Sequence, residues 1–539
     1  MSTVKHYIES VTNRVHYSIE PPDFKPDFAD RPRTYKFYPE IEPLPLPELR
    51  EHDSSRLSNV LFAPLPHSGK TTSPRFDLHL LASMLRESYG ELARRLAVHA
   101  NPDFPALNRY ADAVWSRGTA SGGGLYPVNV YWINGTSGPL RPGVQYYAPK
   151  HHALQQLLSG DVTPIVRDAL GYPGLPCDQY LVLGVKFWQN AFKYHNFSYH
   201  AVTMDVGALL ETWRLWSKAR GMTLRPALWF DEARLSTLLN LAPEDEGIFA
   251  VVPLPWQGGP PAHPGAPPPD AHVRATEQER SKRPATFPML RAVHRATAAN
   301  NQRPARDAAA MAAITATGGG HSKGNPVTLP VPDLLSKSLG EALRTRRSSF
   351  GRFTAIPALS QRSLGTVLAS TMPAAAFPCD ATGDLPGALV RLYVFINHVE
   401  GIRPGSYAFD PQIHALWPVS TIPPGTFLQD SYFLNNYNLN DTAAVIVAAA
   451  RPTAALDAMG DRAYRLVNAA IGAVAQAAYI TCASARLGCG AALGFDNTAY
   501  INELGLAGSD EVPLLIILIG NERTDTADYH YSLERRDFS

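Results

Sequence analysis

Leu493-Gly494-Phe495-Asp496 opens the stretch on which the reading of the fold turns. From Phe495-Asp496 a helix-like run continues to Leu506, the acidic pair Asp510-Glu511 follows, and Leu514 to Ile519 reads as a strand. The same order begins at Phe230-Asp231 and runs through Leu241 to Asp245-Glu246 and the strand-like Ile248 to Val252, with no gap between the two alignments. Arg141-Pro142-Gly143 with His152-Ala153-Leu154 likewise recurs as Arg403-Pro404-Gly405 with His414-Ala415-Leu416. A unit this long, seen twice, indicates a duplicated domain rather than a solenoid. The chain is therefore expected to form a covalent pseudo-dimer, with its site between the halves.

The bulk properties set bounds. A chain of 539 residues, 45% hydrophobic and 10% aromatic, has room for two domains and a large core. With 49 basic against 48 acidic residues, no overall nucleic-acid-binding surface is implied. The opening Met1-Ser2-Thr3-Val4-Lys5-His6 lacks an apolar signal core, so a cytoplasmic protein is expected. Val467 to Ala485 is low in charge but carries Asn468 and Gln476, which suits a buried helix better than a membrane span. The cysteines Cys177, Cys379, Cys482 and Cys489 form no CxxC pair and read as reduced thiols packed as small hydrophobes. Neither they nor the histidines at 151–152, 195 and 200 show metal-ligand spacing, and no metal is expected.

Composition divides the chain. Residues 1–60, rich in proline and aromatics, read as an extended N-terminal arm. A first repeat occupies 61–257 and a Pro/Gly-rich linker 258–330, within which Phe287 to Ala299 has the pattern of a short docking helix. The second repeat spans 331–525, and 526–539 form a charged tail. Val128 to Ile133 and Leu181 to Val185 read as strands. Asp205 to Gly221 reads as a helix with Asp205 at its N-terminus, and its counterpart, Ala463 to Gly488, is apolar on nearly every face. The fold class is α+β.

Three segments carry chemistry. Arg346-Arg347-Ser348-Ser349-Phe350-Gly351-Arg352-Phe353, after a helix expected over Leu334 to Thr345, gathers guanidiniums and hydroxyls suited to an anion. Arg117-Gly118-Thr119-Ala120-Ser121-Gly122-Gly123-Gly124-Leu125-Tyr126-Pro127 leads into a strand, and its adjacent glycines let backbone approach a flat ligand closely. Gly488-Cys489-Gly490-Ala491-Ala492-Leu493-Gly494-Phe495-Asp496 has glycine spacing off by one for a dinucleotide fingerprint. Ser68-Gly69-Lys70-Thr71 ends like a phosphate-binding loop, but Pro64 stands where its first glycine is required, which excludes nucleotide-triphosphate binding there.

In combination with Gly460-Asp461-Arg462-Ala463-Tyr464-Arg465, these segments resemble the nitroreductase-fold flavoproteins of the azoline-oxidase branch, which oxidise thiazolines and oxazolines in peptides. The resemblance covers both repeats. It implies tandem nitroreductase-like domains and FMN bound between them, with Arg346, Ser348 and Arg352 at the phosphate, Ser121, Gly122 and Gly123 over the ring, and Gly494 N–H at flavin N5. It also matches Lys193-Tyr194 to the family's catalytic pair. The halves are uneven: the second has Cys379-Asp380-Ala381-Thr382-Gly383-Asp384 at the loop and Ala458-Met459 at the dyad, whereas the first has Thr71-Thr72-Ser73-Pro74-Arg75-Phe76 at the turn and Leu228-Trp229 at the N5 glycine. One FMN per chain is therefore expected. The implied activity is dehydrogenation of a thiazoline or oxazoline in a modified peptide, a cyclodehydratase being a candidate partner. A peptide Cα–Cβ desaturase, a nitro or quinone reductase, and a flavin-free scaffold are the alternatives.

Overall fold

The computed structural model describes residues 2–48, 55–62, 74–96, 113–171, 177–258, 270–305, 308–315, 324–383, 387–524 and 528–533. The phosphate-loop-like Ser68 to Thr71, the first three residues of the segment 71–76, Asp384 and parts of the linker lie outside these.

Each half builds an antiparallel sheet in the same order. In the first, β1 (Val128–Asn134) pairs with β2 (Gly143–Ala148) and β4 (Gln179–Lys186), while β3 (Ala153–Ser159) and β5 (Glu246–Pro253) lie outside them. In the second, β6 (Arg391–Ile396) takes the centre, flanked by β7 (Gly405–Asp410) and β8 (Ala415–Ser420) on one side. β9 (Ala444–Ala450) and β11 (Val512–Glu522) flank it on the other, and β10 (Gly488–Ala492) adds to β11. The repeated His-Ala-Leu motif has one structural task in both halves. His152 and His414 adopt left-handed φ of 48° and 49°, turning the chain into β3 and β8. Their carbonyls accept hydrogen bonds from Leu46 N and Leu329 N, each at the end of a short edge strand. Tyr131 donates to Glu246 in one sheet as Tyr393 does to Glu511 in the other.

Two long helices, Ser198–Ala219 and Ala463–Ala485, lie against each other between the sheets. A Cβ on Gly207 would run into the backbone of Ala469, and one on Gly472 into the backbone of Met204. These are reciprocal contacts, since 207 matches 472 and 204 matches 469 at the offset that aligns Phe230 with Phe495. Tyr199 and its equivalent Tyr464 stack with ring centroids 6.5 Å apart and planes 10° apart. The second helix is long and apolar enough to cross a membrane by length and composition, but 94% of its most apolar window is buried inside the protein. All four cysteines are buried and free.

Several boundaries differ from those the sequence suggests. The first long helix begins at Ser198, because His195, with φ 49° and ψ −132°, breaks it from the preceding helix; Asp205 therefore stands in its interior, not at its N-terminus. The second ends at Ala485 with left-handed Arg486, freeing Gly488 to enter β10. Thr345 closes a helix that starts only at Leu339, where Ser338 and Glu341 form a capping box. The arm is not extended throughout: Thr3–Thr12 is a helix capped by Ser2 that buries Val4, Tyr7, Ile8 and Val11. Tyr7 meets both Tyr199 and Tyr464 edge-on. In the linker, Pro288–Ala299 is the expected docking helix and buries Leu290, Val293, His294 and Thr297.

That linker helix closes a buried ionic network. Glu232 accepts from Arg462 Nη2 at 2.6 Å, Arg465 Nη1 at 2.8 Å and Ile248 N at 3.0 Å, with His294 Nε2 3.8 Å away. Burial alone would raise the Glu232 pKa, but Arg465, His294 and Arg462 hold it down at about 2.

Two outcomes are expected in urea unfolding. Gly472→Ala should cost about 3 kcal/mol or more, because backbone rather than a side-chain end must move; an unchanged midpoint would show that the crossing tolerates separation. Glu232→Gln should cost about 3–5 kcal/mol by leaving two buried guanidiniums uncompensated. The Glu232 contribution is complete above about pH 4.3, the ordinary glutamate value. It should fade as pH falls toward about 2, and the variant should lack that acid-side loss.

Candidate active site between the halves

The loop before β1 is held from both sides. Ser121 Oγ donates to Asp205 Oδ2 at 2.7 Å and accepts from Tyr126 N at 2.9 Å, while Gly122 N donates to Asp205 Oδ1 at 2.8 Å. Gln476 of the second long helix accepts from Ala120 N at 2.9 Å and donates to Gly118 O at 3.1 Å. Burial raises the Asp205 carboxyl to about 7, although the Gly122 N–H and Ser121 hydroxyl draw it down. Neither Asp205 nor Gln476 stands out in the sequence as a site residue. Both sit in helix interiors, where an isolated polar residue has no motif to mark it.

Gly123 then turns with φ 64°, and a Cβ there would lie 2.6 Å from the Tyr194 hydroxyl and 3.1 Å from Lys193 Nζ. The dyad thus abuts the glycine loop. It sits on the last turn of Trp188–Tyr194, both residues half-buried, with Lys193 Nζ 4.9 Å from the Tyr194 ring centroid. Tyr432 enters from the second half. Its hydroxyl is raised by burial and by the neighbouring Tyr194 and Tyr479.

Gly494 stands beside Tyr432, on the bend after β10. A Cβ there would meet Leu434 at 3.4 Å and Tyr432 at 3.9 Å, ordinary contacts, so space alone does not require glycine. Its carbonyl accepts from Phe433 N at 2.8 Å, and its N–H finds no acceptor among the described residues. Arg14, from the end of the arm helix, grips the bend by donating to the carbonyls of Leu493 and Phe495. Burial lowers this guanidinium to about 10.

The arginine turn closes the seam. Arg346 is buried and its fork reaches across to the glycine loop, Nε to Gly118 O and Nη2 to Arg117 O, both at 3.0 Å. Ser348 Oγ bonds the Tyr479 hydroxyl at 2.9 Å, which accepts from Ala491 N. Arg347 forms a bidentate pair with Glu522. Arg352 is buried with Asp528 at 3.6 Å. Arg95, from a strand of the first half that pairs with the C-terminal strand His530–Ser532, donates to the carbonyls of Arg344 and Arg346. Among the described residues its Nε has no partner, and burial with Arg346 nearby lowers the guanidinium to about 10. Of the nine residues singled out in the sequence, Ser121, Gly122, Gly123, Lys193 and Tyr194 come together at the glycine loop, and Arg346 clamps that loop from the second half; Ser348, Arg352 and Gly494 make their contacts with Tyr479, Asp528 and Phe433 instead.

Across the crossing, the equivalent crevice is filled. Leu228 N and Trp229 N donate to the two oxygens of Asp380 at 2.8 and 3.2 Å, and Arg303 Nε caps that carboxylate at 3.0 Å. Trp229, the counterpart of Gly494, is fully buried. Asp205 has Ala470 as its counterpart, and Gln476 has Glu211, which pairs with Arg214 of its own helix at 2.6 Å.

The model of the nitroreductase family matches residues 386–521. No protein of curated function matches the chain. Among solved structures, a protein described as a nitroreductase from Anabaena variabilis is 22% identical with TM-score 0.67, covering 97% of this chain and 100% of that one. Another so described, from Ralstonia eutropha, is 22% identical with TM-score 0.29, covering 39% and 98%. A chain of an E. coli microcin synthetase complex is 17% identical with TM-score 0.27, covering 48% and 96%. The fold is nitroreductase-like, with mixed helices and sheets.

The contact between Gly123 and the dyad is open to a direct test. Gly123 and Gly124 share nearly the same φ, 64° and 67°, but a Cβ on Gly124 meets nothing within 4 Å. Gly124→Ala should cost only the left-handed strain of about 1–2 kcal/mol. Gly123→Ala should cost more, and Tyr194→Phe in that background should recover part of the excess. Equal losses for the two alanine variants in urea unfolding would separate the dyad from the loop.

Proposed function

We propose that this protein is an FMN-dependent oxidoreductase that dehydrogenates a thiazoline or oxazoline ring in a modified peptide. Two nitroreductase-like domains, 61–257 and 331–525, would act as an intrachain pseudo-dimer with one flavin in the seam. The observation that carries this reading is the convergence of Lys193 and Tyr194 on Gly123. A proton-handling pair is there set against a backbone surface suited to a flat ligand.

The donor set fits FMN. Gly494 offers an N–H that has no acceptor among the described residues, Gly122 and Gly123 present backbone without side chains, and Ser348, Arg352 and the Arg346 clamp would bring positive charge and a hydroxyl to a phosphate. When bound, FMN supplies the two-electron acceptor, with dioxygen as terminal oxidant. The azoline Cα–H lies between a carbonyl and a C=N, which acidifies it. Tyr194 or Lys193 takes that proton while the adjacent ring carbon gives up hydride, leaving the aromatic azole. The ring itself must come from a cyclodehydratase acting on the same peptide. The opposite crevice, with Asp380 on the two backbone N–H groups and Trp229 in place of the glycine, is packed against a second ligand of this kind.

Purified protein should be yellow, carry one FMN per chain, and remove two hydrogens by mass from an azoline-containing peptide. Lys193→Ala and Tyr194→Phe should each lower that turnover by about 100-fold or more with FMN still bound. Turnover surviving in both would sink the assignment of the dyad, a yellow protein inactive on the azoline peptide would favour a simple nitro or quinone reductase, two flavins would overturn the single-site reading, and a colourless protein unable to take up FMN would favour a scaffold.

A further inference from the structure

Among the described residues, Asp205 is the carboxylate that bonds the glycine loop, and it does so with both oxygens. Ser121 O–H and Gly122 N–H both point at it, so the observed arrangement calls for an acceptor at each oxygen. We propose that Asp205 is a proton-linked latch: ionised, it holds Ser121 and Gly122 in register with Lys193 and Tyr194, and on taking up a proton it reverses the bond to Ser121 and loosens the loop. This positioning role rests on the reading of the seam as the flavin site.

The geometry gives the latch its leverage. Ser121 Oγ also accepts from Tyr126 N, so its proton has one direction in which to donate, toward Asp205. Protonated Asp205 would have to donate to that same oxygen, and the serine proton would need a new acceptor. Gly122 is separated by one bond from Gly123, whose Cβ position touches the dyad, so a shift of the anchor moves the surface facing Tyr194. The other half has Ala470 at this position and no such latch.

Few charges surround the carboxyl. Tyr89, on the helix Leu78–Tyr89, senses Asp205 and carries Arg117 4.5 Å from its ring. Lys193 and Tyr194 lie beyond Gly123, and the second long helix contributes uncharged Gln476 to the loop. Burial, rather than a partner of like charge, places the proton equilibrium at about 7. Because this pKa is raised, the ionised form weighs against folding: the Asp205 contribution to stability is complete below about pH 4 and is lost as pH rises through about 7. Folding thus favours the proton, while the ordered loop favours its loss.

Two measurements on the full chain decide this. The first is the FMN dissociation constant from pH 5.5 to 8.5. In the wild type, affinity should fall about tenfold as pH drops through 7, the size of one charge-assisted hydrogen bond. Asp205→Asn, which accepts from Gly122 N and donates to Ser121 Oγ as the protonated acid does, should bind at the low-pH level throughout. The second is hydrogen exchange of residues 118–124 without flavin, corrected for intrinsic rates. Gly122 N–H should lose protection below pH 7 in the wild type, and Asp205→Asn should show no pH dependence. A wild-type pH profile retained in Asp205→Asn overturns the latch. Absence of FMN binding in the wild type overturns the flavin reading instead, and exchange at Gly122 still decides the latch.

Discussion

The approach of two helix backbones at Gly207 and Gly472 is the constraint on which the rest depends. Each glycine abuts the backbone of the partner helix, and the contacts are reciprocal, as an isologous interface requires. Bulkier residues would hold the helices apart. Side chains on their flanks would then fall short of the opposite half. Asp205, two residues before Gly207, and Gln476, four after Gly472, show what closeness permits: both reach the same loop, from different helices. The stacked Tyr199–Tyr464 pair extends the seam, and the arm helix covers it with Tyr7.

The buried charges follow the same line. Arg462 and Arg465, at the start of the second long helix, enter the first half and meet Glu232 at the head of its short helix. Each ion would be costly alone. Glu232 also accepts the Ile248 N–H, and Arg465 also donates to Ile248 O and Tyr199, so the charges meet fixed partners. Such a network resists sliding of one half over the other.

The duplication, the strands and the linker helix were legible because they rest on order and periodicity, which survive divergence. The glycine loop and the arginine turn are legible as local motifs, Lys193-Tyr194 only through the family resemblance, and the structure brings the dyad and Arg346 to the glycine loop. Other features have no local signature. Asp205 reads as a helix N-terminus because aspartate is a favoured cap, whereas the true start at Ser198 follows His195, whose positive φ breaks the chain from the preceding helix. The Arg346 clamp is invisible in sequence, since nothing near Arg346 says that its fork will meet carbonyls more than two hundred residues away. The arm looked extended because its prolines dominate the composition, while the ten residues that fold as a helix precede them.

Covalent joining explains why the crossing stays symmetric while the crevices do not. In a dimer of identical chains every substitution appears twice, so a residue that closes one crevice closes both. Within one chain the two copies are free to differ. Pairs at the crossing remain alike, Gly207 with Gly472 and Tyr199 with Tyr464, because packing needs them on both sides. Pairs lining the crevices have parted: Gly494 faces Trp229 in the alignment, Asp205 faces Ala470, and Lys193-Tyr194 faces Ala458-Met459. On one side these choices leave glycines, an N–H without an acceptor among the described residues, and a polar pair. On the other, Trp229 fills the space, and the Asp380 carboxylate, capped by Arg303, takes the backbone donors. The Trp229 side is thus a packed part of the core, with its backbone donors held by Asp380, whereas the Gly494 side keeps glycines and a polar pair that packing alone would not select.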